Sequence, residues 1–213
     1  MKHRIATAAV TALAASTVLA GAVAPAQAAE PAEPAAKAGN KSLAAVLGAD
    51  GTKLDKNWSD FDLTEAAVLA VLGAKPDSPV GLLTQGNKRA TAFVPTDRAF
   101  QLLVQDLKGF APKTEAKTLK QVAKLGVDTI ETVLLYHVVA GKTLTSDKVL
   151  AAEGQKVATA QGGSIKVHVI KGKVTLLDAD KDDRNPRVVV LDINKGNKQV
   201  AHAIDRVLRP VDL

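Results

Sequence analysis

Three histidines and one run of aspartates are the side chains of this 213-residue chain that could carry chemistry. Beyond the N-terminal region the histidines are His137, His168 and His202. A local metal pair on a helix face needs two ligands about three or four residues apart. None of the three has a second histidine at that spacing, and only His202 has a carboxylate there, at Asp205. The histidines therefore predict no local metal site.

The aspartate run, DADKDDRNP over residues 178–186, has the alternating acids typical of a calcium loop. Numbered from Asp178, the run has aspartates at the third and fifth positions. An EF-hand loop also needs a glycine at the sixth position and a bidentate glutamate at the twelfth, where this chain has Asp183 and Val189. We interpret the run as a charged hairpin loop and expect no metal site in the protein.

The common catalytic motifs are absent from the sequence. It contains no G-x-S-x-G elbow, G-x-x-x-x-G-K-[ST] loop, G-x-G-x-x-G turn or H-E-x-x-H helix. It also contains no cysteine, which excludes disulfides, thiolate zinc sites and a cysteine nucleophile. The sequence therefore predicts a protein that is not an enzyme and has no cofactor.

His137 lies in the otherwise apolar or small segment LLYHVVAG, residues 134–141. If this region is helical, Ile130, Val133, Leu134 and His137 fall at positions i, i+3, i+4 and i+7 and form one apolar stripe. A histidine on such a stripe is more often a hydrogen-bonded core residue than a ligand. Tyr136 falls on a neighbouring face of the same helix.

The elements that position these residues change in type along the chain. The first half of the chain has the apolar periodicity of helices, and each such segment is preceded by an N-cap residue or followed by a glycine. The second half alternates polar and apolar residues, with turn residues between the runs. The pattern predicts an α+β domain with a small β-sandwich of mainly antiparallel strands flanked by helices. The helices are predicted at 62–73, 96–109, 114–126 and 128–139, and the strands at 164–170, 173–178, 187–193 and 198–208.

The N-terminus has the order of a secretory signal peptide. Lys2, His3 and Arg4 precede an apolar stretch without acidic residues, which ends at Ala26-Gln27-Ala28. The sequence predicts a signal peptide over 1–28, cleaved after Ala28, and a secreted, extracellular product. The Pro-, Ala- and Glu-rich residues 29–41 are predicted to be a disordered leader, followed by a single domain over 42–213.

Charge and hydropathy exclude two classes of partner. The formal net charge is +6, but the lysines are scattered and form no run typical of nucleic-acid-binding tails. After the signal peptide, no segment approaches the roughly 20 apolar residues of a membrane helix. We therefore expect no binding of nucleic acid and no integral membrane span. We also expect the protein to be a monomer.

Three ordered segments together resemble the fasciclin family. TAFVPTDRAF (91–100) is similar to its first signature, LLYHVVAGKTLTSDKV (134–149) to its Tyr-His segment, and NKQVAHAIDRVLRP (197–210) to its closing strand. Val94, Arg98 and Ala201 depart from the usual residues without disturbing the pattern. The clearest match spans 91–210, whereas the longer entry region resembles exported fasciclin-like proteins of high-GC Gram-positive bacteria.

The resemblance implies a wedge of strands flanked by helices in a non-enzymatic adhesion protein. The expected partner is a surface protein or an envelope polysaccharide. Because the Tyr-His segment of animal relatives has been implicated in integrin binding, Tyr136 and His137 are the adhesion-motif candidates. The periodicity instead favours a packing role for His137, against Thr96 or Asp97 of the first signature. The residues expected to have structural signature roles are Thr91, Phe93, Pro95, Thr96, Asp97, Phe100, His137, His202 and Asp205.

An alternative function is the binding of a small molecule or lipid in an apolar cleft between helices and sheet. The chain has only one tryptophan, one tyrosine and four phenylalanines, so such a cleft would be lined by aliphatic side chains. A sizeable apolar cavity would favour this alternative, and a closed core would favour adhesion.

Overall fold

A computed structural model gives the fold of residues 37–49, 51 and 53–212. The predicted signal peptide, 1–28, and the first part of the predicted leader, 29–36, lie outside the described residues. The helices are α1 (Leu43–Leu47), α2 (Asp62–Ala74), α3 (Asp97–Lys108), α4 (Glu115–Val122), α5 (Val127–Tyr136) and α6 (Ser146–Ala151), with 3-10 helices at Pro79–Thr84 and Ala123–Leu125. The strands are β1 (Ala90–Pro95), β2 (Val138–Ala140), β3 (Lys156–Ala158), β4 (Ser164–Ile170), β5 (Lys173–Leu177), β6 (Val188–Ile193) and β7 (Gln199–Ile204).

Capping residues explain where the helices begin and end. α4 begins after Thr114, whose hydroxyl accepts a hydrogen bond from the backbone N–H of Lys117. α3 begins after Thr96 and ends at Lys108, and its C-cap Gly109 adopts the left-handed conformation that glycine tolerates best. At α2 the predicted bounds are slightly wrong. Asp62 is the first helical residue rather than the cap, and the helix continues through Gly73 to Ala74.

The predicted helix over 128–139 is wrong at its C-terminal end. α5 ends at Tyr136, His137 is its C-cap, and Val138 already belongs to β2. β2 pairs antiparallel with β1, with Thr91 opposite Val139. A short apolar segment fits either structure, and pairing with a distant strand decides between them.

The strands form two sheets. The first has the order β2-β1-β7-β6, with β1 parallel to β7 and the other pairs antiparallel, and the second is the antiparallel sheet β3-β4-β5. The α+β class with mainly antiparallel strands is therefore confirmed. β1 was not predicted as a strand, because its six residues are buried on both faces and do not alternate.

Two hydrophobic cores lie on opposite sides of the first sheet. Ala92 and Val94 of β1 join the core formed with the helices. Phe93, between them, joins the core formed with the second sheet, which includes Tyr136 and Leu208. Successive side chains of a strand point to opposite faces, so β1 links both cores. This central position is why the first signature is buried.

The ordered fold begins earlier than the predicted boundary at Ser42. The N–H of Gly39 donates to the carbonyl of Gly196, and its own carbonyl accepts from the N–H of Lys198. The N–H of Lys41 donates to the side chain of Asn197. The leader prediction is therefore wrong for these residues, because backbone pairing holds them although they bury little apolar surface.

Candidate functional site

His137 is buried at the junction of α5 and β2. Its ring is 4% exposed, as the apolar stripe predicts. Nε2 accepts a hydrogen bond of 2.9 Å from the N–H of Leu208, so Nδ1 carries the proton and donates to the Val133 carbonyl at 2.7 Å. Burial lowers the pKa of His137 to about 4, against the raising effect of the bond to Val133. The ring is neutral at pH 7 and joins two distant backbone segments.

The predicted partner of His137 was wrong. The ring bonds Val133 and Leu208 rather than Thr96 or Asp97. Thr96 is instead the N-cap residue of α3. Asp97 accepts from the N–H of Leu63 at 3.0 Å and so fixes the start of α2.

Tyr136 is also enclosed by the fold. It is 2% exposed, and its hydroxyl donates to the carbonyl of Ser164 on β4 at 2.9 Å. A Cβ at Gly163 would lie 3.0 Å from Cε2 of the Tyr136 ring, so glycine leaves room for it. Both adhesion-motif candidates therefore offer almost no side-chain surface to a partner.

The other signature residues lie along β1, β7 and the start of α3. The hydroxyl of Thr91 donates to the Lys142 carbonyl and accepts from the N–H of Leu144. The rings of Phe93 and His202 have centroids 5.7 Å apart. Pro95, Phe100 and His202 are buried, whereas Asp205 is only partly buried and accepts from the N–H of Arg187.

His202, Asp192 and Ser146 have the residue types of a hydrolytic triad, but not its connectivity. In a triad the histidine ring lies between the carboxylate and the hydroxyl. Here Ser146 Oγ donates directly to Asp192 Oδ2 at 2.6 Å. The His202 ring bonds backbone on both sides, the N–H of Asp192 and the carbonyl of Leu144. The histidine therefore does not contact the serine hydroxyl in this arrangement.

Electrostatics support the same conclusion for Asp192. Burial acts to raise its pKa, but hydrogen bonds from Lys195 and Ser146 outweigh that effect and lower the pKa to about 2. A carboxylate that stays ionised and is held by these two donors is a poor proton acceptor. We read the group as a structural link between β6 and the start of α6.

Two aspartates of the predicted charged loop, Asp180 and Asp183, are paired with arginines. Arg209 contacts Asp180 and Asp183, and Arg206 contacts Asp183. Both arginines also contact Asp106 on α3. The loop is thus an ion-pair network that ties the C-terminal segment to α3.

A different set of carboxylates converges where α2, α3 and α4 begin. One oxygen from each of Asp60, Asp97 and Glu115 lies within 4.8 Å of the others. Asp97 and Glu115 are 0% exposed. Glu115 also accepts from the N–H of Asp55 through Oε2. Sequence reasoning missed this cluster because its members come from three separate helix starts, and no local spacing links them.

The most exposed apolar side chains of the first sheet lie on its edge strand, β6. Val189 and Val190 are 54% and 50% exposed, and Leu191 beside them is also exposed. A regular strand would turn alternate side chains inward, but register shifts in the β6–β7 pairing disturb that alternation. The run RVVVLDI predicts a strand, but nothing in it signals the register shifts that leave this surface exposed.

Exposed cations surround this strand. Two surface depressions of about 460 and 420 Å³ adjoin it, and Val189 and Asp205 line both. Lys173 and Arg187 line the first and Arg184 lines the second. All three are exposed, and none forms an ion pair with another residue of the described chain. We call Val189–Leu191 with these three cations the β6 face.

The apolar pockets near the helices are small. One of about 20 Å³ lies between Phe100, Leu134 and His137. Another of about 60 Å³ lies between Leu47, Val68 and Leu83. Pockets that enclose small-molecule ligands usually measure about 300–1,000 Å³. Neither pocket can enclose a lipid chain or a cofactor.

The two-sheet α+β fold and its buried Tyr-His segment define the class of domain, and comparison with known proteins names it. The fasciclin domain model matches residues 77–210. The chain belongs to the fasciclin family.

Among solved structures, the chain is similar to a FAS1 domain pair from the insect cell adhesion molecule fasciclin I, with a TM-score of 0.50 and 19% identity. The similarity covers 71% of this chain and 48% of that chain, so this protein spans about half of the pair. At this identity the likeness shows the fold alone. The search of curated proteins gave no match. None of the described helices combines the length and apolar character needed to cross a bilayer.

Proposed function

We propose that this protein is a secreted, non-catalytic fasciclin-domain protein that acts in adhesion or surface association. Family membership supports the adhesion role, since the similar FAS1 domain pair comes from a cell adhesion molecule. The signal-peptide pattern of residues 1–28 supports secretion. The observation that carries the proposal is the β6 face, where apolar side chains are exposed although the Tyr-His segment is buried.

The β6 face fits an extended, acidic segment of a surface protein. β6 is the last strand of its sheet, and an edge strand can pair with an added strand through its backbone. Val189 and Val190 supply apolar contact area, while Lys173, Arg184 and Arg187 supply unpaired positive charge. Charge complementarity speeds encounter and selects partners.

The two other readings receive less support. A small-molecule or lipid ligand is not favoured, because the apolar pockets at the helices measure only about 20 and 60 Å³. Catalysis is not favoured, because the rings of His137 and His202 are bonded to backbone on both sides. The third histidine, His168, contacts Glu153 at the surface.

The test is binding of the purified mature protein to envelope fractions of the producing cells and to extracellular matrix. Val190→Glu adds an acid to the β6 face and is expected to weaken binding at least about tenfold, since like charges oppose an acidic partner. Leu69→Glu is the matched control, because it adds the same charge at an apolar residue that is 53% exposed on α2 and lines neither depression beside β6.

The two variants separate the outcomes. Equal binding by Val190→Glu and wild type would remove the β6 face from the proposal. Binding that survives protease treatment of the envelope but not removal of its polysaccharide would replace the protein partner by a polysaccharide. Absence of binding to any fraction would contradict the adhesion role itself.

A further inference from the structure

The carboxylates at the start of α2, α3 and α4 have oxygens that lack partners. Asp60 Oδ1, Asp97 Oδ2 and Glu115 Oε1 are all buried without a hydrogen-bond partner. Buried polar atoms are nearly always hydrogen-bonded, and an exception calls for an ion, a water or a functional role. The other oxygens of Asp97 and Glu115 already accept from the N–H groups of Leu63 and Asp55. Asp97 Oδ2 and Glu115 Oε1 therefore remain to accept from a further group.

Among the described residues, the three carboxylates of the cluster have no positive partner, since Asp60, Asp97 and Glu115 form no ion pair with a lysine or arginine. Asp55 and Asp62 form an overlapping group of carboxylates with Asp60. Burial, followed by the neighbouring acid Asp60, raises the pKa of both Asp97 and Glu115. The cluster is unfavourable when fully ionised and needs either protons or a cation.

We propose that Asp60, Asp97 and Glu115 bind a divalent cation of the calcium type. Calcium binds oxygen ligands at about 2.3–2.6 Å, which places opposite ligands roughly 5 Å apart. The mutual limit of 4.8 Å between the three oxygens fits within one such coordination shell. The donors are all carboxylate oxygens, which suits calcium or magnesium better than metals that prefer nitrogen or sulfur.

A proton shared between Asp60 and Asp97 explains the three buried oxygens less completely than a bound cation does. One proton can join a single pair of carboxyl oxygens. It would leave Glu115 Oε1 buried and without a partner. A cation contacts all three oxygens at once and neutralises charge that burial makes costly.

The ion would join segments that are distant along the chain. Asp60 precedes α2, Asp97 is the first residue of α3, and Glu115 is the first residue of α4. The loop before α2 is already held by two backbone bonds, from Asp97 to Asp60 and from Arg98 to Trp58. A bound cation would therefore stabilise the junction of the three helices.

The test uses calcium alone and terbium as a luminescent substitute. Trp58 is the only tryptophan of the chain and lies two residues before Asp60, so it is placed to sensitise terbium luminescence. Because a ligand that binds only the native state raises its stability, millimolar calcium should raise the melting temperature over chelator by about 4 °C or more at matched ionic strength. Terbium luminescence should rise on binding and fall when calcium competes.

Two variants remove charge and keep shape. Asp97→Asn and Glu115→Gln retain an oxygen that can accept from Leu63 and Asp55, and each should abolish the calcium-dependent shift and the terbium signal. Asp182→Asn is the control, because Asp182 is an exposed aspartate of the charged loop and does not belong to the cluster. Arg184 of the same loop lines a surface depression together with Trp58, so this control also removes a charge from the loop near the tryptophan. It should respond to calcium like the wild type.

The remaining outcomes overturn the proposal. A wild-type melting temperature that calcium and chelator leave unchanged means that the cluster carries protons. Loss of the response in Asp182→Asn, with Glu115→Gln responding normally, places the ion on the charged loop. If either Asp97→Asn or Glu115→Gln does not fold, the calcium response of the other variant still decides whether the cluster binds the ion.

Discussion

The N–H of Leu208 donates a hydrogen bond to Nε2 of His137, a residue 71 positions earlier in the chain. The same ring donates from Nδ1 to Val133 at the end of α5. The contact joins the helical half of the domain to the segment that follows β7. A side chain in such a position contributes to the stability of the fold and offers little surface to a binding partner.

Replacement of His137 by alanine is expected to lower the free energy of unfolding by about 3 kcal/mol. The change leaves the Leu208 N–H and the Val133 carbonyl without partners and opens a cavity. Urea denaturation measures the loss. His168→Ala is the control and should remain within about 0.5 kcal/mol of wild type, because that side chain is 42% exposed. Equal stability of the two variants would contradict the structural role.

Stability should fall in acid because of His137. Its pKa is lowered in the folded state to about 4, from an ordinary value of 6.5. The unfolded state therefore takes up a proton first as the pH falls, and the stabilisation present above pH 6.5 is lost progressively toward pH 4. A shift of this size corresponds to about 3 kcal/mol.

The His137→Gln variant isolates this effect, since it shares every other titrating group with the wild type. The difference in unfolding free energy between wild type and variant should shrink between pH 7 and pH 4. A constant difference over that range would show that the ring is not held neutral by burial.

The sequence predicted the burial of His137 but not its partner. The stripe that ends at His137 depends on local spacing, which a sequence displays directly. Its bond to Leu208 depends on the pairing of β1 with β7, which brings residues 90–95 beside 199–204. Contacts of this kind are set by tertiary structure and leave no local period.

The same distinction explains the other differences. β7 was predicted as a strand, whereas β1 was missed although it is equally buried. The exposed face of β6 depends on register shifts against β7 that no residue of the run RVVVLDI signals. The carboxylate cluster depends on the packing of three helix starts. Elements with a clear local period could be predicted, whereas β1 and the surfaces built between elements could not.

The N-terminus of the secreted protein is expected to be Ala29. Ala26-Gln27-Ala28 is a small-x-small site at the end of the apolar stretch. Intact-mass spectrometry of the protein from culture supernatant checks this expectation. Cell-bound protein that retains Met1 to Ala28 would contradict both the cleavage and the secretion.

The most direct test of the account is surface binding by Tyr136→Phe beside Val190→Glu. Tyr136→Phe removes the hydroxyl bonded to Ser164 and should cost about 1 kcal/mol of stability. The account predicts that this variant, measured well below its melting temperature, binds surface fractions with wild-type affinity, whereas Val190→Glu binds at least about tenfold more weakly. A folded Tyr136→Phe variant that loses binding, together with a Val190→Glu variant that keeps it, would contradict the account and return recognition to the Tyr-His segment.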